Sequence, residues 1–198
     1  GSVISEQTYH YGDTVTPPAD PTRASSNTYK YTFQGWNSTV TACTGRETYT
    51  AVYTSEYIDY TITFKNYDGT VISSAVYHYG DSVVAPTPTG KPADNKYTYN
   101  FAGWDSPVVP CDGNKEYTAT YTPIYINYTV VFKNWDGYVL STNTYHYGDK
   151  ITVPATPAKA ADKTYTYTFA GWDQEVVGTV TDSDITYEDK ETGLLKAD

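Results

Sequence analysis

The chain of 198 residues has very few of the side chains that build helical cores. It contains no methionine and only three leucines, at positions 140, 194 and 195. Leucine and methionine favour helices, whereas tyrosine, threonine and valine suit the half-buried surface of a β-sheet. The chain has 23 tyrosines and 33 threonines. This composition excludes a helical bundle and predicts a strand-rich protein.

Basic residues and long apolar runs are also scarce. Thirteen Lys and Arg stand against 23 Asp and Glu, which gives a formal net charge of −10. The field of such a chain repels phosphate backbones, so nucleic acid is not expected as a partner. No apolar run approaches about 18 residues, so membrane insertion is not expected. The start Gly1-Ser2-Val3 lacks a signal-peptide pattern, and Gly1-Ser2 is interpreted as a cloning scar.

Cysteine occurs only twice, at Cys43 and Cys111, which is too few for a disulfide framework. The two positions are 68 residues apart, and the third position of that series is Thr179. We expect two unpaired thiols in loops. The alternative is a bridge between repeats or between chains.

The sequence repeats itself with a period of 68 residues. Residues 60–109 share 28 identities in 50 positions with residues 128–177. Two patterns recur at this spacing: Tyr-His-Tyr-Gly-Asp from positions 9, 77 and 145, and Phe-x-Gly-Trp from positions 33, 101 and 169. A domain of about 60 residues can already bury a core of its own. Each repeat is therefore predicted to be a small domain with its own core.

Three repeats and a tail account for the whole chain. We place the first repeat at residues 1–57, the second at 58–125, the third at 126–187 and a C-terminal tail at 188–198. The tail is expected because Glu188-Asp189-Lys190 replaces the Thr-Ala-Thr that the pattern requires.

The first repeat lacks an initial strand, because Val3 aligns with Val71. Two explanations are open. Either Tyr60 to Asn66 completes the sheet of the preceding repeat, or the exposed edge takes a strand from a neighbouring chain.

Within one repeat the side-chain pattern predicts about four strands. Residues 60–64 alternate between apolar and polar, Asp68-Gly69 predicts a tight hairpin turn, and a strand follows from residue 71 to about 79. The prolines between residues 84 and 95 exclude a central strand or a long helix, which leaves one short helix or a turn-rich crossover. Strands at 97–101 and 117–121 complete the repeat, with Trp104 on the face opposite to Phe101.

These patterns together resemble a known family. Tyr-Thr-(Ile/Val)-x-Phe-Lys-Asn, Tyr-His-Tyr-Gly-Asp and Tyr-x-Phe-x-Gly-Trp follow one another in each complete repeat, as in the Listeria–Bacteroides repeat, also called the B-repeat of internalins. The resemblance covers residues 3 to 187. It implies an α+β, strand-dominated fold of tandem β-grasp units, similar to ubiquitin or SUMO. It also implies an extracellular location, in a secreted or cell-wall-attached bacterial surface protein.

No residue pattern indicates catalysis. A catalytic site needs unlike groups that converge in one cleft, and no nucleophile triad, phosphate loop or Cys-x-x-Cys pair is present. The histidines occur once per repeat with no second ligand at metal-binding spacing, at His10, His78 and His146. Three aspartates follow a glycine and are expected to fix turns, with calcium coordination as the alternative: Asp13, Asp81 and Asp149. We therefore expect no enzyme, no cofactor and no metal.

Exposed aromatic side chains are the candidate ligand-binding groups, because their flat apolar faces suit sugar rings. The candidates are Trp135, Tyr67, Trp36, Trp104 and Trp172. The alternative is core packing, which we expect for Trp104 and Trp172. Trp135, which replaces Tyr67 beside a hairpin turn, is expected to be exposed.

The residues and the resemblance together predict a non-enzymatic stalk that extends a binding domain from a bacterial cell. One alternative is an adhesive module that binds glycans or a host protein through repeated weak sites. A second alternative is self-assembly through exchange of edge strands with a neighbouring chain.

Overall fold

The structure is a computed structural model that describes residues 1–196. It contains ten strands: β1 (Tyr29–Trp36), β2 (Ala51–Tyr57), β3 (Tyr60–Lys65), β4 (Val71–Tyr77), β5 (Tyr97–Trp104), β6 (Lys115–Tyr125), β7 (Tyr128–Lys133), β8 (Val139–Tyr145), β9 (Tyr165–Trp172) and β10 (Ile185–Leu195). These residues form no helix, and hence none long and apolar enough to cross a membrane. The modules are therefore all-β, and the expected α+β class is wrong. The segment between β4 and β5 contains three prolines, which break helical hydrogen bonding, and it takes the irregular crossover form.

The second and third repeats each form a four-stranded mixed sheet with the same strand order. The orders are β4-β3-β6-β5 and β8-β7-β10-β9. Strand β3 pairs antiparallel with β4 and parallel with β6, and β7 does the same with β8 and β10. The Asp-Gly turns that close the hairpins have the positive φ that glycine tolerates, 83° at Gly69 and 84° at Gly137. The four strands predicted from alternation are confirmed in both repeats.

Aromatic and β-branched side chains fill the cores of these two repeats. Phe64 and Tyr117 are 2% and 1% exposed, and their rings stack with centroids 5.1 Å apart. Phe132 and Tyr187 take the same places in the third repeat, with centroids 4.9 Å apart. Tyrosine and phenylalanine thus supply the apolar area that this leucine-poor sequence must bury.

The first repeat is incomplete and has no core. Only β1 and β2 form its sheet, and no residue before Ile62 is fully buried. Residues 3–9, which correspond to β4, form no strand because the first repeat lacks the strand with which they would pair. The expectation of a separate core in every repeat is therefore wrong for this one.

The pairing of β3 decides between the two explanations for the short sheet. Strand β3 pairs with β4 and β6 of its own repeat, so the idea that Tyr60 to Asn66 completes the preceding sheet is wrong. A strand taken from a neighbouring chain stays a prediction, because the structure contains a single chain.

The last strand runs further than the sequence indicated. Residues 188–195 belong to β10 and pair with β9 from Trp172 to Tyr165, so the expected tail is wrong as far as Leu195. Residues 197 and 198 of that tail lie outside the described residues. A longer loop before β10 also shifts the position equivalent to Cys111. The Gly80 N–H donates to the Cys111 carbonyl and the Gly148 N–H donates to that of Val180, so Val180, not Thr179, is the third member of that series.

Tertiary contacts group the chain into two compact units. The first comprises residues 1–88 and 104–119, and the second comprises residues 89–103 and the chain from Thr120 onward. The joint between the first and second repeats lies within the first unit. The joint between the second and third repeats lies within the second unit. The repeat boundaries given above stay predictions, apart from the tail.

Candidate functional sites on the aromatic surface and at the repeat joints

Two of the five candidate aromatic residues are exposed. Trp135 is 48% exposed and Tyr67 is 41% exposed, each directly before the Asp-Gly turn of its hairpin. The Lys159 ammonium lies 3.9 Å from the centre of the Trp135 ring, a distance typical of a cation–π contact. The expected exposure of Trp135 is confirmed. Ligand binding at either residue stays a prediction.

The other three candidates are half-buried and lie against phenylalanine rings. The centroid distances are 5.6 Å for Trp36 and Phe33, 4.7 Å for Trp104 and Phe64, and 4.8 Å for Trp172 and Phe132. Strict alternation predicts that Trp104 lies on the face opposite to Phe101. This prediction is wrong. The register of β1 shifts between Phe33 and Gly35, where φ is 121°, and such a β-bulge returns the next side chain to the core face. Gly103 and Gly171 have the same φ within a degree.

The Tyr-His-Tyr-Gly-Asp segments are turns fixed by their aspartates. In each repeat the aspartate Oδ2 accepts the backbone N–H of the histidine, at 2.8 Å for Asp13 and Asp81 and 2.7 Å for Asp149. This confirms the expected role of these residues as turn formers. No group of three or more His, Cys, Asp or Glu side chains within residues 1–196 could hold a metal ion. Cys43 and Cys111 are both unpaired.

Three contacts at the joint between the first two repeats recur at the next joint, and His78 Nε2 also lies 3.4 Å from Asp59 Oδ1 in the linker. The Ile58 N–H donates to the Thr28 carbonyl at 2.9 Å, which continues the β1–β2 ladder beyond its last strand residue. The Tyr60 hydroxyl donates to the Asn27 carbonyl at 2.8 Å. The ring of Tyr57, at the end of the first repeat, lies 4.4 Å from the ring of His78 in the second.

The joint between the second and third repeats has the same three contacts. The Ile126 N–H donates to the Lys96 carbonyl at 3.0 Å, and the Tyr128 hydroxyl donates to the Asn95 carbonyl at 2.8 Å. The Tyr125 ring lies 4.4 Å from the His146 ring. His10, the equivalent residue of the first repeat, has no such partner, and its side chain is 99% exposed. Sequence reasoning missed this role of the histidines, because a contact between repeats leaves no local pattern.

Comparison with known proteins identifies the repeats. The Listeria-Bacteroides repeat domain matches residues 1–56, 60–123 and 128–193, which is most of the chain. The chain belongs to the Listeria–Bacteroides repeat family. Repeats of this family are tandem modules of bacterial cell-surface proteins and are generally not catalytic, which suggests a surface location for this array.

One solved structure with which this Listeria–Bacteroides repeat array shares similarity is that of SHIRT domains 3–4 (Streptococcal High Identity Repeats in Tandem) from a cell surface protein. The two sequences are 11% identical, the match covers 69% of this chain and 99% of the other, and the TM-score is 0.39. No curated protein matches the chain.

A basic residue in the crossover of each Listeria–Bacteroides repeat lies over a tyrosine ring of the sheet. The distances to the ring centre are 3.7 Å for Arg23 and Tyr31, 3.9 Å for Lys91 and Tyr99, and 4.0 Å for Lys159 and Tyr167. The last two tyrosine hydroxyls also donate to aspartates at 2.6 Å, Asp94 and Asp162. These contacts tie the irregular crossover to the sheet. The only sequence signal for them is the common spacing of 68 residues.

The third repeat should therefore lose stability in acid through Asp162. The hydrogen bond from Tyr167, supported by two backbone N–H groups, lowers the pKa of Asp162 from 3.8 to about 2. Because the folded-state value lies below the unfolded one, the stabilisation is complete above about pH 4 and disappears as the pH falls towards 2. A carboxyl NMR titration should give that low value. In Asp162→Asn, the acid-dependent loss in the same pH range should become smaller, and an unchanged loss would contradict the assignment.

The third Listeria–Bacteroides repeat also contains two carboxylates on the inner side of β10. Asp189 is only 7% exposed, and Glu191 is partly buried two residues further on. Burial raises the pKa of the Asp189 carboxyl above its usual range, although the backbone of Trp135 opposes this in part. The unusual Glu188-Asp189-Lys190 predicted the start of a tail, whereas these residues lie in β10.

Proposed function

We propose that the chain is a non-enzymatic spacer that carries a binding domain away from the surface of a bacterial cell. We further propose that its repeats are helix-less variants of the β-grasp. The strand order supports this second point, since the first and last strands of each complete repeat pair in parallel at the centre of the sheet.

The observation that carries the spacer proposal is the repetition of the joint. Only two residues separate the strands of neighbouring repeats, Ile58-Asp59 at one joint and Ile126-Asn127 at the other. The backbone bond, the tyrosine hydroxyl bond and the tyrosine–histidine contact recur at both joints at nearly equal distances. A short linker without glycine, held by three contacts, resists bending. Resistance to bending is what a spacer requires.

Charge supports the same role. The formal net charge of −10 makes copies of the chain repel one another at close range. Dense arrays of such spacers on a cell would therefore stay separate rather than aggregate.

Small-angle scattering with absolute mass tests the spacer directly. Three modules of about 68 residues in line are expected to give a monomer with a maximum dimension of roughly 80 to 100 Å. A compact monomer would contradict the spacer. A mass that rises with concentration would favour assembly through edge strands. The two-stranded sheet of the first repeat is the structural reason to consider such assembly, because both of its strands are edge strands.

Removing the joint histidines should make the array more flexible. An aromatic pair contributes about 0.5 to 1.5 kcal/mol, so His78→Ala with His146→Ala should raise the population of bent joints several-fold. Scattering should then show a broader range of dimensions at unchanged module stability. His10→Ala is the matched control, because His10 occupies the same turn without a tyrosine partner. Equal effects of the control and the double variant would contradict the role of the joints.

A second candidate function is multivalent adhesion to glycans or a host protein. The observation that favours it is the exposure of Trp135, 48%, and of Tyr67, 41%, at matching positions of two repeats. Binding to a panel of glycans or host surface proteins, lost in Trp135→Ala with Tyr67→Ala, would support adhesion. Binding that persists after both substitutions would contradict a role of Trp135 and Tyr67 in adhesion.

A further inference from the structure

Six buried side-chain oxygen atoms in the third repeat make no hydrogen bond. They belong to Asn134, Ser141, Asp189 and Glu191, and the two carboxylates contribute four of them. Asp189 is more than nine-tenths buried, at 7% exposed. A carboxylate removed from water without a partner is strongly unfavourable, so such a group requires a compensating positive charge or a proton.

Strand register places three of these groups at one region of the sheet. Asp189 and Glu191 occupy alternate positions of β10 and share the inward face with Tyr187, which is 1% exposed. Glu188 lies opposite Lys133 in the parallel ladder, so Asp189 lies beside Asn134, one position further along both strands. The amide oxygen of Asn134 is buried and, like the carboxylate oxygens, has no hydrogen-bond partner.

The other repeats have no acidic group at these positions. Asp189 pairs with Trp172 as Ala51 pairs with Trp36, and Glu191 pairs with Phe169 as Tyr53 pairs with Phe33. In the second repeat the corresponding residues are Ala119 and Tyr121. Only the third repeat thus exchanges an apolar pair for two carboxylates.

The Lys159 ammonium forms no ion pair with these carboxylates. Lys159 lies over the rings of Trp135 and Tyr167, at 3.9 and 4.0 Å from their centres. Within residues 1–196 neither carboxylate forms an ion pair and none of their oxygens has a hydrogen-bond partner, although the nearby backbone of Trp135 and the charge of Lys159 favour the ionised form of Asp189. The unpartnered atoms are all oxygens, which is the donor set that hard cations prefer.

We propose that Asp189, Glu191 and the Asn134 amide oxygen bind a calcium ion in the third repeat. Calcium accepts six to eight oxygen ligands in irregular geometry, so water completes the shell around the three side chains. The ion neutralises both carboxylates and holds the middle of β10 to the end of β7. This site is independent of the spacer function, since a spacer needs no cation and a cation site needs no stiff joints.

Terbium luminescence and thermal unfolding test the site on the full chain after removal of metals by chelation. Terbium replaces calcium in oxygen sites and emits when nearby aromatic rings absorb, and Trp172 lies opposite Asp189 in the sheet. We expect sensitised terbium emission that millimolar calcium displaces. We also expect calcium to raise the unfolding midpoint of the third repeat by about 4 to 8 °C.

Two variants and one control separate this site from other sources of binding. Asp189→Ala with Glu191→Tyr installs the residues of the second repeat and should abolish both signals. Asp189→Asn with Glu191→Gln keeps side-chain size, removes the charges and should do the same if the first variant fails to fold. Glu188→Gln is the matched control, because Glu188 lies on the same strand, points outwards and is exposed. It should keep both signals.

Three results would overturn the proposal. One is the absence of any response to terbium or calcium in the unchanged chain. Another is an equal response in the double variants, which would place the ion elsewhere. The third is terbium emission that millimolar calcium does not displace, which would make the response unspecific.

Discussion

Phe132→Ala is expected to destabilise the third repeat by about 3 to 5 kcal/mol. The side chain is 0% exposed and lies between the rings of Tyr187 and Trp172, at 4.9 and 4.8 Å. Alanine removes both contacts and leaves a cavity in the core of the repeat. A module of about 68 residues has a total stability of roughly 3 to 10 kcal/mol. The variant repeat should therefore lose a large part of its stability.

Denaturant unfolding followed by tryptophan fluorescence measures this effect, because Trp172 contacts the deleted ring. Phe101→Ala is a suitable control, since Phe101 is 44% exposed and lies on a strand of the same kind of sheet. It should cost less than about 1 kcal/mol in the second repeat. Similar losses from the two substitutions would mean that the aromatic core does not determine the stability of the modules.

The strands could be predicted because their side chains alternate. Tyr60, Ile62 and Phe64 share a face, and the structure gives β3 at Tyr60–Lys65 with Ile62 and Phe64 buried. The alternation of side chains along the strands could not show whether the crossover forms the helix that the resemblance implies. In place of a helix, Lys91 and Lys159 hold the crossover against Tyr99 and Tyr167. Such a contact depends on how the crossover folds back, which no local pattern records.

The tryptophans show where alternation fails. A residue inserted at the bulge before Gly35 or Gly171 changes the face of everything that follows, and a period-two pattern cannot reveal one extra residue. Trp104 therefore lies against Phe64, as core packing predicted, although its predicted face was wrong. Trp135 needed no such correction, because a residue next to a hairpin turn lies at the end of the sheet.

The contacts at the joints could not be predicted from the sequence for another reason. His78 was recognised only as a member of a turn, and its contact is with Tyr57, in the preceding repeat. The repetition was informative only after the fold had placed both residues. The same holds for Asp189, whose carboxylate is unusual only because β10 continues to Leu195 and buries it.

Asp189→Ala is expected to stabilise the third repeat by about 1 to 3 kcal/mol at pH 7 in the presence of a chelator, which is the usual cost of a buried polar group without a partner. Alanine occupies the equivalent position in both other repeats, at Ala51 and Ala119, so the substitution introduces no new shape. A gain of this size is unusual for a single substitution in a sheet. It follows only if the carboxylate is as poorly satisfied as its 7% exposure and missing hydrogen bonds indicate.

The pH dependence of this gain has a definite sign. Burial raises the folded-state pKa of Asp189 above 3.8, so the folded chain keeps a proton that the unfolded chain loses as the pH rises. The destabilisation by Asp189 therefore begins near pH 3.8, grows until the pH passes the folded-state pKa and is then constant. The unchanged chain and Asp189→Ala should differ least at pH 3.5 and most at neutral pH. Unfolding midpoints between pH 3.5 and 7.5 measure the difference, with Glu188→Gln as the control that removes an exposed charge on the same strand. If Asp189→Ala were less stable than the unchanged chain at pH 7 with chelator present, the carboxylate would have a partner within the protein, and the reason to place a cation beside it would disappear.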